Sequence, residues 1–255
     1  MQVPLMAIME DEKPTVLLPV EIIELIVLYF PLKLRFFTIR DKCIPLLPHT
    51  SMDHASRKGK ADLLTWWKNR KSECEWSHYS MDWASRNGHV DVLECWKNSS
   101  LECKWSISSM ELASERGHIH VLDWWKNSSL ESKWSNWTMD WASKNGQVAV
   151  LEWWKNSELK CKWSSVAMDL ASKNGHVDVL EWWKNSGLRC KWSFLAMDWA
   201  SRKGHLEVLE MWKNSSLNYI WSSDAMDGAL KHGHVAVLEW WKNNRLDLQI
   251  KGKNL

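Results

Sequence analysis

Methionine recurs at a fixed interval along this chain: Met52, Met81, Met110, Met139, Met168, Met197 and Met226 each stand 29 residues from the next, without a gap. An internal period of this size is the signature of a stacked array. Each copy is too small to bury its own apolar face, so neighbouring copies must cover one another. Seven units fill residues 52–254, each approximating M-D-x-A-S-x-x-G-H-V-x-V-L-E-x-W-K-N-S-x-L-x-C-K-W-S-x-x-x. Copying of one unit also accounts for a skewed aromatic usage, 22 Trp against 3 Tyr and 4 Phe.

Each unit carries the signals of two helices. In the fifth, Ser164 is placed to cap a first helix by accepting a backbone N–H of its first turn. Val166, Met168 and Ala171 supply apolar contacts, and Gly175 suits the left-handed position that ends a helix. A second helix starts near His176, with Asp178 and Glu181 toward its positive end and Lys184 toward its negative end. Its apolar residues Val177, Val179, Leu180, Trp182 and Trp183 cover well over half of its circumference, so it needs cover from more than one side. The Trp183 column is invariant from Trp67 to Trp241, whereas its neighbour admits Cys95 and Met211 and is expected to be less enclosed. A third column, Trp76 to Trp221, falls in the connecting loop and is expected to lid each layer. The fold class that follows is all-α, a helix-turn-helix repeat solenoid of seven repeats (residues 51–255) preceded by an N-terminal helical cap (residues 1–50).

The segment "AMDLASKNGHVDVLEWW" resembles the ankyrin repeat, in which a first helix, an N-G-H turn and a second helix with paired aliphatic residues follow in this order. The unit departs from that family in length, 29 residues rather than the usual 33. The missing residues fall where ankyrins extend a hairpin finger. Asp169 also stands where the family commonly has His, and Trp182 and Trp183 replace small aliphatic residues. The resemblance implies a protein-binding solenoid whose partner face lies near the first helices. Residues 17–43, "LLPVEIIELIVLYFPLKLRFFTIRDKC", resemble the opening of an F-box. That resemblance implies docking on the small adaptor of a cullin ubiquitin ligase through Leu18, Pro19, Ile22, Ile23 and Ile26. A hydrophobic cap over the first repeat is the alternative reading of the same residues.

Composition narrows the remaining classes. The formal charge is only +2, and the most apolar run, Leu25 to Leu32, is far shorter than the roughly 20 residues a spanning helix needs. The opening residues turn acidic where a signal peptide would be cleaved, so the expected location is cytoplasmic or nuclear, with no membrane association. Cys74, Cys103, Cys161 and Cys190 repeat at one position. Layers of helices stack about 8–10 Å apart and disulfides need Cα atoms within about 7 Å, so reduced thiols are expected. No cysteine pair has zinc spacing, and His118–His120 and His232–His234 lack further ligands, so no metal and no cofactor are expected.

Asp169, Ser172 and His176 have the residue types of a hydrolase. They recur, however, as Asp82, Ser85 and His89 and as Asp198, Ser201 and His205, and an enzyme needs one shaped site rather than a set in every layer. Structural hydrogen bonding between loop and helix is the expected role. Lysine columns interleaved with tryptophan are also found in nucleic-acid grooves. Here the Lys68–Lys242 column sits at helix C-termini, and Asp and Glu columns balance it, so a nucleic acid is not the expected partner.

In a repeat array the constant columns build the stack and the variable ones face a partner. The residues before each Met vary: His78 and Tyr79, Ile107, Asn136 and Trp137, Val166, Phe194 and Leu195, Asp224. A second variable pair follows each A-S, as Glu115–Arg116 against Lys173–Asn174. Trp137 and Phe194 are natural anchors, since binding energy concentrates in aromatic and arginine side chains. The expected function is a non-catalytic scaffold that binds another protein on this face and has no small-molecule substrate, with the ubiquitin-ligase receptor as the alternative.

Overall fold

The structure, a computed structural model, describes residues 51–70 and 76–244, and these contain helices and connecting turns with no strand among them. Residues 17–43 and the tail after 244, where the cap, the F-box resemblance and the end of the array fall, lie outside the described residues. The helices are α1 (Ser51–Arg57), α2 (Ala61–Arg70), α3 (Tyr79–Asn87), α4 (Val90–Lys97), α5 (Ser108–Arg116), α6 (Ile119–Asn127) and α7 (Trp137–Lys144). They continue with α8 (Val148–Asn156), α9 (Val166–Lys173), α10 (Val177–Asn185), α11 (Leu195–Lys203), α12 (Leu206–Asn214), α13 (Asp224–Lys231) and α14 (Val235–Asn243). Each odd helix packs on the odd helices before and after it and on its own even partner, and the even helices pack in a second, looser row. This packing of sequence neighbours is consistent with a helical-repeat solenoid. None of the described helices is long and apolar enough to cross a membrane.

The odd helices approach closely because their buried side is made of small residues. In α3 the buried positions are Ser80, Met81, Asp82, Ala84 and Ser85, and only the methionine is bulky. The distance between packed helices follows the size of the side chains at the contact, so the Ala-Ser pair present in the first six units, with Gly228 and Ala229 in the seventh, sets the tight row. In α9 the buried apolar residues are Ala167, Met168 and Ala171, while Val166 is half-exposed at the first turn. The first turn is organised by the residue expected to cap it. The Ser164 hydroxyl accepts the Val166 N–H (3.1 Å) and donates to the Asp140 carboxylate of the preceding odd helix α7 (2.5 Å).

The even helices carry the large residues. Val179, Leu180 and Trp183 are fully buried in α10, and the same three positions are buried in α4, α6, α8 and α12. An indole N–H in such a site must find an acceptor. The Trp183 Nε1–H donates to Ser143 Oγ at 3.0 Å, a residue of α7 in the unit before. Trp96, Trp125, Trp154, Trp212 and Trp241 make the same bond to Ser56, Ser85, Ser114, Ser172 and Ser201. From Cys95 to Met211 the neighbouring column is half-buried, as expected, and Trp240 is buried. Trp182 meets Trp183 edge-on at 5.1 Å, a favoured aromatic geometry, and its N–H reaches Glu152 of α8 at 2.7 Å.

The loop tryptophans lid the layers. Trp163 lies 5.7 Å from Trp183, and its N–H donates to the Arg189 carbonyl in the following loop (3.0 Å). Trp76, Trp105, Trp134 and Trp192 repeat both contacts. The same loops hold free thiols: Cys103, Cys161 and Cys190 donate to the carbonyls of Trp96, Trp154 and Trp183, and Ser132 takes that role where the column lacks Cys. Burial pushes these three thiols above the ordinary cysteine range.

Two predictions follow from this packing. Ser143→Ala strands the Trp183 N–H in the core and is expected to cost about 1–3 kcal/mol. The double variant with Trp183→Phe should cost less than the two singles together, by at least about 0.5 kcal/mol. Urea denaturation of the four proteins tests this, and strict additivity would show the bond to be worthless. Backbone strain gives the second. Glu158 is exposed and sits at φ 64° after α8, where Gly187 occupies the matching position after α10. Glu158→Gly should therefore leave stability unchanged or raise it by up to about 1 kcal/mol. Gly175 sits at φ +79° with the His205 ring 3.0 Å from where a Cβ would stand. Gly175→Ala should lower stability by about 1–2 kcal/mol. Thermal melts that rank the two the other way would refute this.

Candidate interaction face

The repeated Asp, Ser and His side chains of one unit point to different neighbours. Asp169 accepts the backbone N–H and the hydroxyl of Ser193, which leads into the next odd helix α11 (2.8 and 2.7 Å). Ser172 accepts the Trp212 indole (2.9 Å), and the His176 ring lies against Gly146, 3.0 Å from where a Cβ would stand. The pattern holds for Asp82 with Ser106, Ser85 with Trp125 and His89 with Gly59. Asp198 bonds Ser222, Ser201 bonds Trp241, and the His205 Nε2–H donates to the Lys173 carbonyl (3.0 Å). These groups tie consecutive units, and in none of the three sets is the serine hydrogen-bonded to the histidine. Among the described residues no three His, Cys, Asp or Glu side chains converge as metal ligands.

Five acids, three on the odd helices and two on the even ones, are tuned in opposite directions. Burial raises Asp169, Asp198 and Glu111 above the ordinary carboxylate range, against the pull of their serine donors. Glu94 and Glu152, at the surface of α4 and α8, are lowered by the indole N–H of Trp124 and Trp182 and by the amides of Asn98 and Asn156. Burial also lowers His118 and His205, which favours the neutral ring in its contact with a backbone carbonyl.

With one side of every odd helix buried in the stack, the opposite side is a continuous outer face. The residues chosen from their variability stand at its N-terminal edge. Tyr79, Trp137, Val166, Leu195 and Asp224 are the first residues of α3, α7, α9, α11 and α13, and His78, Ile107, Asn136 and Phe194 cap α3, α5, α7 and α11. Tyr79, Ile107, Trp137 and Phe194 are 48%, 42%, 41% and 45% exposed, a large fraction for apolar side chains in a chain that buries most others of this size. Val166 and Leu195 are half-buried, and the Asn136 amide is engaged by Asp140 at 2.9 Å.

The structure adds a row of residues that variability before Met did not select. Residues four and seven positions along a helix share a face, so Tyr79 is followed by Trp83 and Arg86, Trp137 by Trp141 and Lys144, and Leu195 by Trp199 and Arg202. Tyr79 stacks on Trp83 at 5.0 Å, and Trp137 packs on Trp141 at 5.6 Å. Arg57 lies over the Trp83 ring (5.5 Å) and Lys173 over the Trp199 ring (4.8 Å), each from the helix of the preceding unit. The signal was present in the sequence, where the residue two after Met reads Trp83, Leu112, Trp141, Leu170, Trp199 and then Gly228. Gly228 removes the side chain from the last of these positions and opens a groove between α11 and α13, bordered by Trp199, Arg202, Asp224 and Lys231.

The opposed acids give a testable pH dependence. Asp169, Asp198 and Glu111 have native values above their unfolded ones, so their contribution to stability is full below about pH 4 and lost as the pH rises through the native values. Glu94 and Glu152 contribute above about pH 4 and lose that contribution as the pH falls through their lowered native values. In denaturation midpoints followed against pH, Asp169→Asn with Asp198→Asn should flatten the loss toward neutrality. Glu94→Gln with Glu152→Gln should flatten the loss toward acid. Unchanged slopes in both pairs would refute the assignment. Compared with known proteins, the chain matches no family model and no curated protein.

Proposed function

We propose that the protein is a non-catalytic scaffold, built as an ankyrin-like repeat array, that binds a partner protein on the outer face of the odd helices. The observation that carries this reading is the row of exposed Tyr79, Ile107, Trp137 and Phe194 along one edge of helices whose other side is given over to stacking. Interfaces draw their energy from a few large aromatic and arginine side chains, which this row and the cations below it supply. The repeated Asp, Ser and His residues support the same reading, because each is engaged in joining neighbouring units.

A second reading rests on residues 17–43, whose resemblance to an F-box favours a substrate receptor of a cullin ubiquitin ligase. It uses the same face for the captured protein and adds an adaptor at Leu18, Pro19, Ile22, Ile23 and Ile26.

Affinity purification of the full chain from its own cells tests both. A protein retained in stoichiometric amount by the parent chain should be lost from Tyr79→Ala/Trp137→Ala/Phe194→Ala, a loss of at least about 2 kcal/mol for a true anchor. The melting temperature of that variant should be nearly unchanged, since the three side chains are exposed. Retention by the triple variant, or recovery of no protein, would overturn the scaffold reading. Recovery of the cullin adaptor with the full chain, and its loss on Leu18→Ala/Ile22→Ala, selects the ligase-receptor reading.

A further inference from the structure

The cations of the outer face are gathered on one ridge. Five positions after each Met stand Arg57, Arg86, Lys144, Lys173, Arg202 and Lys231, with Glu115 the one acid in the column. The next position adds Lys58, Arg116 and Lys203 and no acid. Nine cations against one acid in a chain of formal charge +2 leave the rest of the molecule net acidic, and acids return beside the ridge at its last units, where Asp198, Asp224 and Asp227 line the groove next to Arg202 and Lys231. Among the described residues the ion pairs are Lys104–Glu102 and Lys133–Glu131, and neither involves the ridge.

Two clefts recur on this ridge. One is formed by Arg57, Trp83, Arg86 and Arg116 with Asn87 and His118, the other by Lys173, Trp199, Arg202 and Lys203 with His232. Each sets three cations around one tryptophan, and neither contains an acid. They lie four units apart, and the intervening Trp141 marks the same position between them. Above the ridge, about 10 Å along each helix at 1.5 Å per residue, runs the exposed apolar row of Tyr79, Trp137 and Phe194.

We infer that this ridge docks an acidic, apolar-bearing segment of a partner protein, whose carboxylates meet the cations around Trp83 and Trp199 while its large side chains meet the apolar row. The inference rests on the scaffold reading and names the chemistry of its partner. Charge complementarity selects an acidic ligand, and arginine pairs with carboxylates through two parallel N–H bonds. A polypeptide fits better than a nucleic acid for two reasons. One face of each cleft tryptophan is already covered by a cation, Arg57 on Trp83 and Lys173 on Trp199, and is closed to a stacking base. Glu115 also interrupts the column where a continuous phosphodiester would run, whereas a peptide places its acids discretely.

The test uses the full chain and a fluorescent synthetic peptide in which Glu pairs alternate with Leu and Phe. The same peptide with Gln for Glu and an oligothymidylate serve as comparators. The Glu peptide should bind, the Gln peptide should bind at least about tenfold more weakly, and Arg57→Glu/Arg86→Glu and Lys173→Glu/Arg202→Glu should each weaken the Glu peptide by about tenfold or more. Lys184→Glu, on the second-helix row, should leave binding unchanged. Should a reversal variant melt early, added salt on the parent chain gives the same reading, since screening at physiological ionic strength confines charge attraction to about 8 Å and must weaken the Glu peptide but not the Gln peptide. Equal binding of the Gln peptide, indifference to the reversals, or tighter binding of the oligothymidylate with the same dependence on the reversals would each overturn the inference. If the peptide fails while a cellular partner is still lost on Tyr79→Ala/Trp137→Ala/Phe194→Ala, the inference falls and the scaffold reading stands.

Discussion

A tryptophan side chain can be buried only where its one polar atom finds an acceptor, and this array meets that demand across unit boundaries. The Trp183 N–H reaches Ser143, 40 residues earlier in the chain, and the bond recurs in five further layers. Forty residues are one repeat and a further eleven, so the bond runs from the second helix of one unit to the first helix of the unit before. The burial of the largest side chain in the core is therefore tied to the position of the preceding layer. A layer that slipped by one residue would bury an unpartnered N–H as well as lose apolar contact.

The other two tryptophan columns repeat this logic with different acceptors. Trp182 donates to a carboxylate 30 residues back, and Trp163 donates to a backbone carbonyl 26 residues ahead. Together the three columns reach the first helix before, the second helix before and the loop after. The Asp column closes the remaining gap by holding the serine that starts the next first helix. Apolar burial supplies most of the stacking free energy, and these directional bonds fix which layer packs on which and in what register. The cost is visible in Asp169 and Asp198, whose burial works against their charge even with serine donors in place.

The period, the two helices per unit, the enclosed Trp183 column and the lidding loop tryptophan were all legible in the sequence, because each is a local pattern copied many times. The acceptors were not. Ser143 carries no local mark that it serves Trp183, since the two are separated by a distance that only the stacked geometry makes short. The Asp-Ser-His recurrence was visible as a repeated pattern, yet the partners of its side chains required the fold. The outer face was half legible. Variation before each Met located Tyr79, Trp137 and Phe194, but the adjoining Trp83, Trp141 and Trp199 were hidden by reading columns one at a time. Spacing of four and seven residues along each helix joins them to the same face.

That division between constant and variable columns has a physical consequence for binding. In the fifth unit the constant polar groups, the Asp, the Ser, the loop Ser and the indole N–H groups, are engaged inside the stack, whereas in the last layer the Trp221 N–H is buried without an acceptor among the described residues. Recognition must then be built from what the stack does not use. On the odd helices this is an apolar edge, a half-buried aromatic row and a cationic ridge in parallel. The cations stand at helix C-termini, where the backbone carbonyls favour positive charge whatever binds there. The fold thus holds arginines and lysines in place without any ligand, and under the proposed scaffold function the choice of partner would fall to the few outer residues that differ from one unit to the next.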